Sequence, residues 1–152
     1  MKRRKISLLM VGTLFLGILI GGYLFFDSRP RSFLVLTDCQ GNCLKPSDLM
    51  GLITSVGIQK FSGLMPSVVK ETDKTIVIRH PGPQARIHYV VIPKKDLKNI
   101  AEFSVEDRDY LVDSLGVIGQ IVRDENLVNY RVVTNGPGYQ GVTYLHFHLM
   151  AN

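Results

Sequence analysis

A run of 21 positions, Ile6 to Phe26, carries no charged residue, and it divides the chain into two physically different parts. At ~1.5 Å rise per residue a helix of that length spans roughly 30 Å, the thickness of a bilayer's hydrocarbon core. The run is long for the apolar region of a signal peptide, and no small-x-small cleavage site follows it. An uncleaved membrane anchor is therefore the expectation, with a cleaved signal as the plainer alternative. Lys2, Arg3, Arg4 and Lys5 precede the run, whereas only Arg29 and Arg31 follow it closely. The heavier positive flank stays in the cytoplasm. This predicts a single-pass inner-membrane protein with a cytoplasmic basic flank (1–5), an anchor (6–26), a polar linker (27–31) and a domain (32–152) outside the cytoplasm, periplasmic in a bacterium.

The formal charge of +5 belongs to the membrane flanks. From residue 32 onward the chain has 12 basic and 12 acidic residues. A nucleic-acid groove needs its basic residues clustered on the folded domain, so no nucleic-acid partner is expected. Two cysteines, Cys39 and Cys43, are spaced C-x3-C. In an oxidising compartment such a pair suits a local disulfide, which would stiffen a turn more than stabilise the fold. A metal site is the competing reading of the pair.

Pro46-Ser47-Asp48 reads as a helix start, with Leu49, Leu52, Ile53 and Val56 on one stripe and Gly57 or Gly63 as the stop. Thr75 to Arg79 is β-branched and apolar, His80-Pro81-Gly82-Pro83 is a turn, and Ile87 to Ile92 is a second strand stopped by Pro93. Asp96 to Phe103 suggests a short helical stretch. Ser104 and Asp107 form a capping-box pattern before a longer helix with Tyr110, Leu111, Leu115, Ile118 and Val122 on its apolar stripe. Tyr130 to Thr134 is a third strand, Asn135-Gly136-Pro137-Gly138 a turn, and Val142 to Met150 a fourth strand. Hairpin-like strand pairs around one long helix give an α+β fold with an antiparallel sheet.

On a strand, side chains alternate between faces. Tyr144, His146 and His148 then share one face, while Leu145, Phe147 and Leu149 pack inward. Two imidazoles at i and i+2 suit metal binding or phosphate chemistry, because a neutral imidazole attacks phosphorus and an imidazolium neutralises phosphoryl oxygens. Two solvated histidines on an open sheet face would give the same spacing.

Three collinear segments narrow the reading. Gln140-Gly141-Val142-Thr143-Tyr144-Leu145-His146-Phe147-His148-Leu149-Met150 resembles the motif of the histidine-triad (HIT) family, His-φ-His-φ-His-φ-φ, where φ is apolar. Pro83 to Lys95 resembles the segment leading into that family's His-x-x-Val-Ile-Pro-Lys strand, and Tyr130 to Asn135 resembles the strand ending in its Asn. The likeness runs from about Pro66 to the C-terminus and is greatest to the nucleoside phosphoramidases, the protein kinase C interacting protein-like branch. It implies a HIT-like half-barrel that dimerises and holds a nucleotide over its last strand. His146 falls at the family's nucleophile. The resemblance implies a nucleotide phosphoramidate or phosphoanhydride hydrolase that forms a nucleotidyl-histidine, with His148, Asn135, Gln140 and Tyr144 around the phosphate or nucleotide.

The departures from the family pattern carry their own expectations. The first triad histidine is Tyr144, and the family's ribose-contacting acid falls at His80-Pro81. The hydroxyl that commonly follows the motif's Gln is replaced by Gly141. Family members that bind structural zinc do so through a C-x2-C pair, the histidine matched by His88, and the first triad histidine. Here the cysteine spacing and position differ and that first histidine is missing, so neither a metal nor another cofactor is expected, and His88 reads as a buried structural residue. Loss of the first histidine and of the acid also supports a non-catalytic nucleotide-binding or dimeric interaction module. The anchor supports a third reading, hydrolysis of a CDP-lipid pyrophosphate at the membrane surface.

Overall fold

The computed structural model describes residues 2–31, 45–64 and 67–152. The expectations for Cys39 and Cys43 fall outside the described residues. Helix α1, Lys2–Phe25, contains the span Ile6–Phe25, which is long and apolar enough to cross a membrane and is buried nowhere in the fold. A signal sequence would show the same length and apolarity. Helix α2 is Pro46–Phe61. Strands β1 (Val68–Glu71), β2 (Thr75–Arg79) and β3 (Ile87–Pro93) follow, then helix α3 (Arg108–Asp124), β4 (Tyr130–Val133) and β5 (Phe147–Ala151). The five strands make one antiparallel sheet in the order β1-β2-β3-β5-β4.

The two faces of this sheet are covered differently. On one face Val77, Tyr89, Val91, Phe147 and Leu149 pack against Val117, Ile118 and Ile121 of α3. Thr75 and Ser114, both fully buried, satisfy each other through their hydroxyls at 3.0 Å. Helix α3 starts where Asp107 accepts from the backbone N–H and hydroxyl of Ser104. It ends in a Schellman arrangement, with Asn126 at φ 53° and the Leu127 N–H reaching back to the Val122 carbonyl. Leu115, expected on the buried stripe, is 50% exposed. Its place is taken by Val117 and Ile121, because the sheet meets a face rotated toward Ser114.

Among the described residues, the opposite face is only half covered. Ile76, Val90 and Ile92 lie under Ile58 of α2 and under Tyr144. Beyond them, toward the start of β3 and the end of β5, the same face carries His88 and His148 (register Val90↔His148, His88↔Met150). Strand alternation therefore puts apolar residues beneath α2 and imidazoles on the uncovered part of one surface.

Helix α2 corrects the sequence reading of its faces. The stripe expected to be buried includes Leu49 and Ile53, which are 43% and 55% exposed, whereas Gly51, Ser55 and Ile58 face inward. A Cβ at Gly51 would collide with the Thr143 carbonyl and crowd the Arg31 guanidinium, so glycine permits this close approach. The polar linker is docked on the domain. Arg31 and Asp96 form an ion pair whose side chains are 0% and 1% exposed. Strand β1 has no counterpart in the sequence reading. The stretch expected to be helical from Asp96 to Phe103 holds only a 3-10 turn at Ile100–Glu102.

Candidate active site

The last strand is shorter than its pattern suggests. The alternation from Val142 to Met150 predicts one continuous strand, but β5 begins at Phe147. The residues before it are tied to other partners: Thr143 N–H to the Ser47 carbonyl, and Leu145 N–H to the Leu97 carbonyl. Tyr144 consequently does not stand beside His146 and His148. It is 1% exposed, beneath α2, and its hydroxyl donates to the Pro93 carbonyl at 3.0 Å. Burial, with the Asp96 carboxylate adding to it, pushes the phenol pKa up. The expected phosphate or nucleotide contact from Tyr144 is corrected to a core position, because its polar atom is already used inside.

His146 sits where the bent segment turns into β5. Its Nδ1–H donates to the Tyr144 carbonyl at 2.7 Å, and the Thr134 hydroxyl donates to its own carbonyl at 2.8 Å. The first bond fixes the neutral tautomer with the lone pair on Nε2, the form a nucleophile needs. Burial lowers the His146 pKa, partly opposed by that same bond. The His148 ring stands edge-on to it, centroids 4.8 Å apart.

Hydrogen bonds set the protons of the next two rings. The Gln84 N–H donates to His88 Nδ1 at 3.1 Å, leaving the His88 proton on Nε2. That proton points to His148 Nδ1, 2.9 Å away, so His148 carries its own proton on Nε2 as a donor. Burial, followed by the neighbouring imidazoles His146, His88 and His80, lowers the His148 pKa to about 4. Burial also lowers that of His88. All three rings are therefore held neutral near pH 7. His88 is 5% exposed, as expected of a structural histidine, but it also orients His148 directly.

Asn135 and His148 line one cavity of about 220 Å3, together with His80, Gln84, His88, Arg131, Val133 and Met150. Gln140 lies apart from that lining and donates from Nε2 to the Lys98 carbonyl at 3.1 Å. The structure thus groups His146, His148 and Asn135 around one stretch of sheet, with Gln140 bracing a loop and Tyr144 in the core. Two residues outside the expected set, His80 and Arg131, also line this cavity. His80 stacks on His88, centroids 4.1 Å apart and planes within 5°. Arg131 lies opposite Met150 on β4. Hairpin register would have found His80: its N–H pairs with the His88 carbonyl, which sets the two rings side by side on one face.

One ring nitrogen from each of His80, His88 and His148 lies within 4.8 Å of the others, a three-nitrogen set of the kind transition ions use. Closing it on an ion is opposed by the present hydrogen bonds. The Gly82 and Gln84 N–H groups occupy Nδ1 of His80 and His88, and His88 Nε2 is spent on His148.

Among the described residues the site is thus a partly covered antiparallel sheet that presents an unprotonated imidazole nitrogen beside a hydrogen-bonded histidine pair. Comparisons with known proteins show the family to which this fold belongs. The profile described as "Scavenger mRNA decapping enzyme C-term binding" matches residues 63–152. A HIT-like protein of Chlamydia muridarum is 36% identical over 85 residues, covering 54% of this chain and 68% of that protein. One from Synechococcus elongatus is 38% identical over 86 residues, covering 55% and 75%. A HIT family hydrolase from Legionella pneumophila superposes with a TM-score of 0.58 at 30% identity, over 62% of this chain and 89% of that one. A histidine triad protein from Clostridium difficile gives a TM-score of 0.58 at 27% identity, over 66% and 89%. The chain belongs to the histidine-triad family.

Proposed function

We propose that the protein hydrolyses a nucleotide phosphoramidate or phosphoanhydride through a covalent nucleotidyl-histidine on His146. The observation that carries this reading is the bond from His146 Nδ1–H to the Tyr144 carbonyl, which leaves Nε2 unprotonated in a ring whose pKa is lowered by burial. Nε2 attacks the α-phosphorus, the P–N or P–O bond to the leaving group breaks, and the leaving group departs with a proton. Water then attacks the same phosphorus, freeing the nucleoside monophosphate and restoring His146. His148 Nε2–H donates to a phosphoryl oxygen as its charge grows, with Asn135 beside it in the same cavity. The hydrolase relative from Legionella pneumophila supports the reaction class.

The proposal extends to the setting. The span Ile6–Phe25 anchors the protein in the inner membrane as a single pass, with the domain outside the cytoplasm, as the positive flank at Lys2–Lys5 favours. The domain pairs as a homodimer through α3 and the edge strand β4. Val112 (68% exposed) and Leu115 on α3, and Tyr130 (48%) and Val132 (38%) on β4, offer apolar surface there.

The test uses the full chain in detergent micelles with adenosine 5′-phosphoramidate. Single-turnover reactions quenched in base preserve a phosphohistidine, which intact-mass measurement detects. Wild type should gain the mass of an adenylyl group, lost on acid treatment, and His146→Ala should show neither adduct nor turnover. Turnover that persists in His146→Ala refutes the assignment. Nucleotide binding without adduct or turnover supports instead the binding-module reading, which the core position of Tyr144 favours.

A further inference from the structure

The cavity beside His148 has an unusual balance of polar groups. His80 Nδ1 accepts from the Gly82 N–H at 3.0 Å, so the His80 proton is on Nε2. His148 likewise carries its proton on Nε2, because its Nδ1 accepts from His88. Arg131 adds a guanidinium, and Asn135 an amide, to the same lining. Among the described residues, no carboxylate lines this cavity. Arg79 and Arg86 border the adjoining cleft, which His80 and His88 also line. That cleft contains Glu125, whose carboxylate accepts from the Tyr89 hydroxyl at 2.8 Å.

Hydrogen-bond donors thus gather on one recess with a permanent cation at its edge. A sugar hydroxyl pair is best held by an acceptor, and this recess supplies none that is charged. A phosphoryl group, with its anionic oxygens, is the complement to such a set, and Arg binds it in planar, paired fashion. The recess includes His148 and stops short of His146. A group bound in it therefore lies on the far side of His148 from the reacting phosphorus.

We propose that this cavity, with His80 and Arg131 as donors, binds a second phosphoryl group of the substrate, while His148 and Asn135 at its inner end serve the attacked one. The preferred substrates are then nucleotides with two phosphoryl groups, of which only one is attacked. This inference rests on the nucleotide reading of the site. His80 and Arg131 act here as specificity residues, remote from the reacting atoms.

The experiment is calorimetric titration of the full chain in micelles with adenosine 5′-monophosphate, adenosine 3′,5′-bisphosphate and adenosine 5′-diphosphate. One of the two doubly phosphorylated ligands should bind at least tenfold tighter than the monophosphate. The 3′,5′-bisphosphate winning places the second group on the sugar, and the diphosphate winning places it on the leaving side. Arg131→Met and, more strongly, His80→Asp should collapse that ratio toward one. His80 lies beside the turn Pro81–Pro83, and the fold of both variants is checked by circular dichroism. Equal affinity for all three ligands overturns the proposal, as does a ratio that neither substitution changes. If the monophosphate binds and the His146 adduct forms while no such preference exists, this inference fails and the hydrolase reading stands. If no nucleotide binds and no adduct forms, both fail.

Discussion

Removing Asp96 should destabilise the domain more than most single substitutions, and the structure says by how much. Its Oδ2 accepts from the Arg29 N–H at 2.7 Å, from Arg31 Nη1 at 2.7 Å and from the Ser55 hydroxyl at 2.9 Å, while Oδ1 takes Arg31 Nη2. The guanidinium also donates to the Thr143 carbonyl at 2.9 Å. Every strong group in the pair is satisfied, and neither side chain meets water. Asp96→Leu leaves the Arg31 cation buried without its counter-charge, which typically costs ~3–5 kcal/mol. For a domain of this size that is a fall in Tm of roughly 10–20 °C. Arg31→Met strands the carboxylate and should cost a similar amount. The double variant removes both charges; what it loses are the bonds that Asp96 accepts from Ser55 and Arg29 and those that Arg31 donates to the Thr143 and Arg29 carbonyls, each orphaned group costing about 1–3 kcal/mol and already counted in one of the singles. Its deficit should therefore be well below the sum of the two singles, with a coupling of ~2–3 kcal/mol. The assay is thermal unfolding of the full chain in micelles, followed by near-ultraviolet tyrosine circular dichroism, which the helical anchor does not dominate. Additive losses, within ~0.5 kcal/mol, would show that the pair is not the clamp described here.

That clamp also explains where sequence reading succeeded and where it stopped. The antiparallel sheet and long helix were legible because β2, β3 and α3 carry strong periodicity and clean stops: Pro93 at the end of β3, and the Ser104–Asp107 cap before α3. The nearness of His146 and His148 was legible because their spacing survives any choice of strand boundary, and their ring centroids lie 4.8 Å apart. Tyr144 was misread because alternation alone extends β5 backward. Nothing local shows that the Thr143 carbonyl is claimed by Arg31, or the Thr143 N–H by Ser47, 112 and 96 residues away in sequence. The buried face of α2 was misassigned for a related reason. Its apolar residues outnumber its small ones, but the side facing Asp96 and Thr143 needs Gly51 and Ser55 to let charged partners approach. His80 was noted only as standing where the family has an acid, and Arg131 not at all, because their place beside His88 and His148 shows only once the strand register is known.

Further outcomes follow from the same contacts. Tyr144→Phe removes the donor to the buried Pro93 carbonyl and should cost about 1–3 kcal/mol. Activity in the assay for His146 should persist, since the phenol does not reach the site; a catalytic loss without loss of stability would place the hydroxyl in the chemistry. Leu115→Glu puts a charge on the proposed dimer surface of α3 and should give monomers by sedimentation in micelles. An unchanged dimer would move the interface elsewhere. The pH response follows from the histidines. Their folded pKa values are lowered, that of His148 to about 4, while the unfolded chain titrates near the ordinary 6.5. Between these limits the unfolded chain binds more protons, so stability is fully present above about pH 6.5 and falls as pH drops toward 4. His148→Asn should flatten the slope of Tm against pH in that window by removing one such group. Activity should stay level as pH falls through the ordinary histidine value and drop only below it, as His146 gains its proton, since protonation consumes the Nε2 lone pair. A rate that instead fell through an unshifted histidine pKa would show that water reaches His146 more freely than its burial implies.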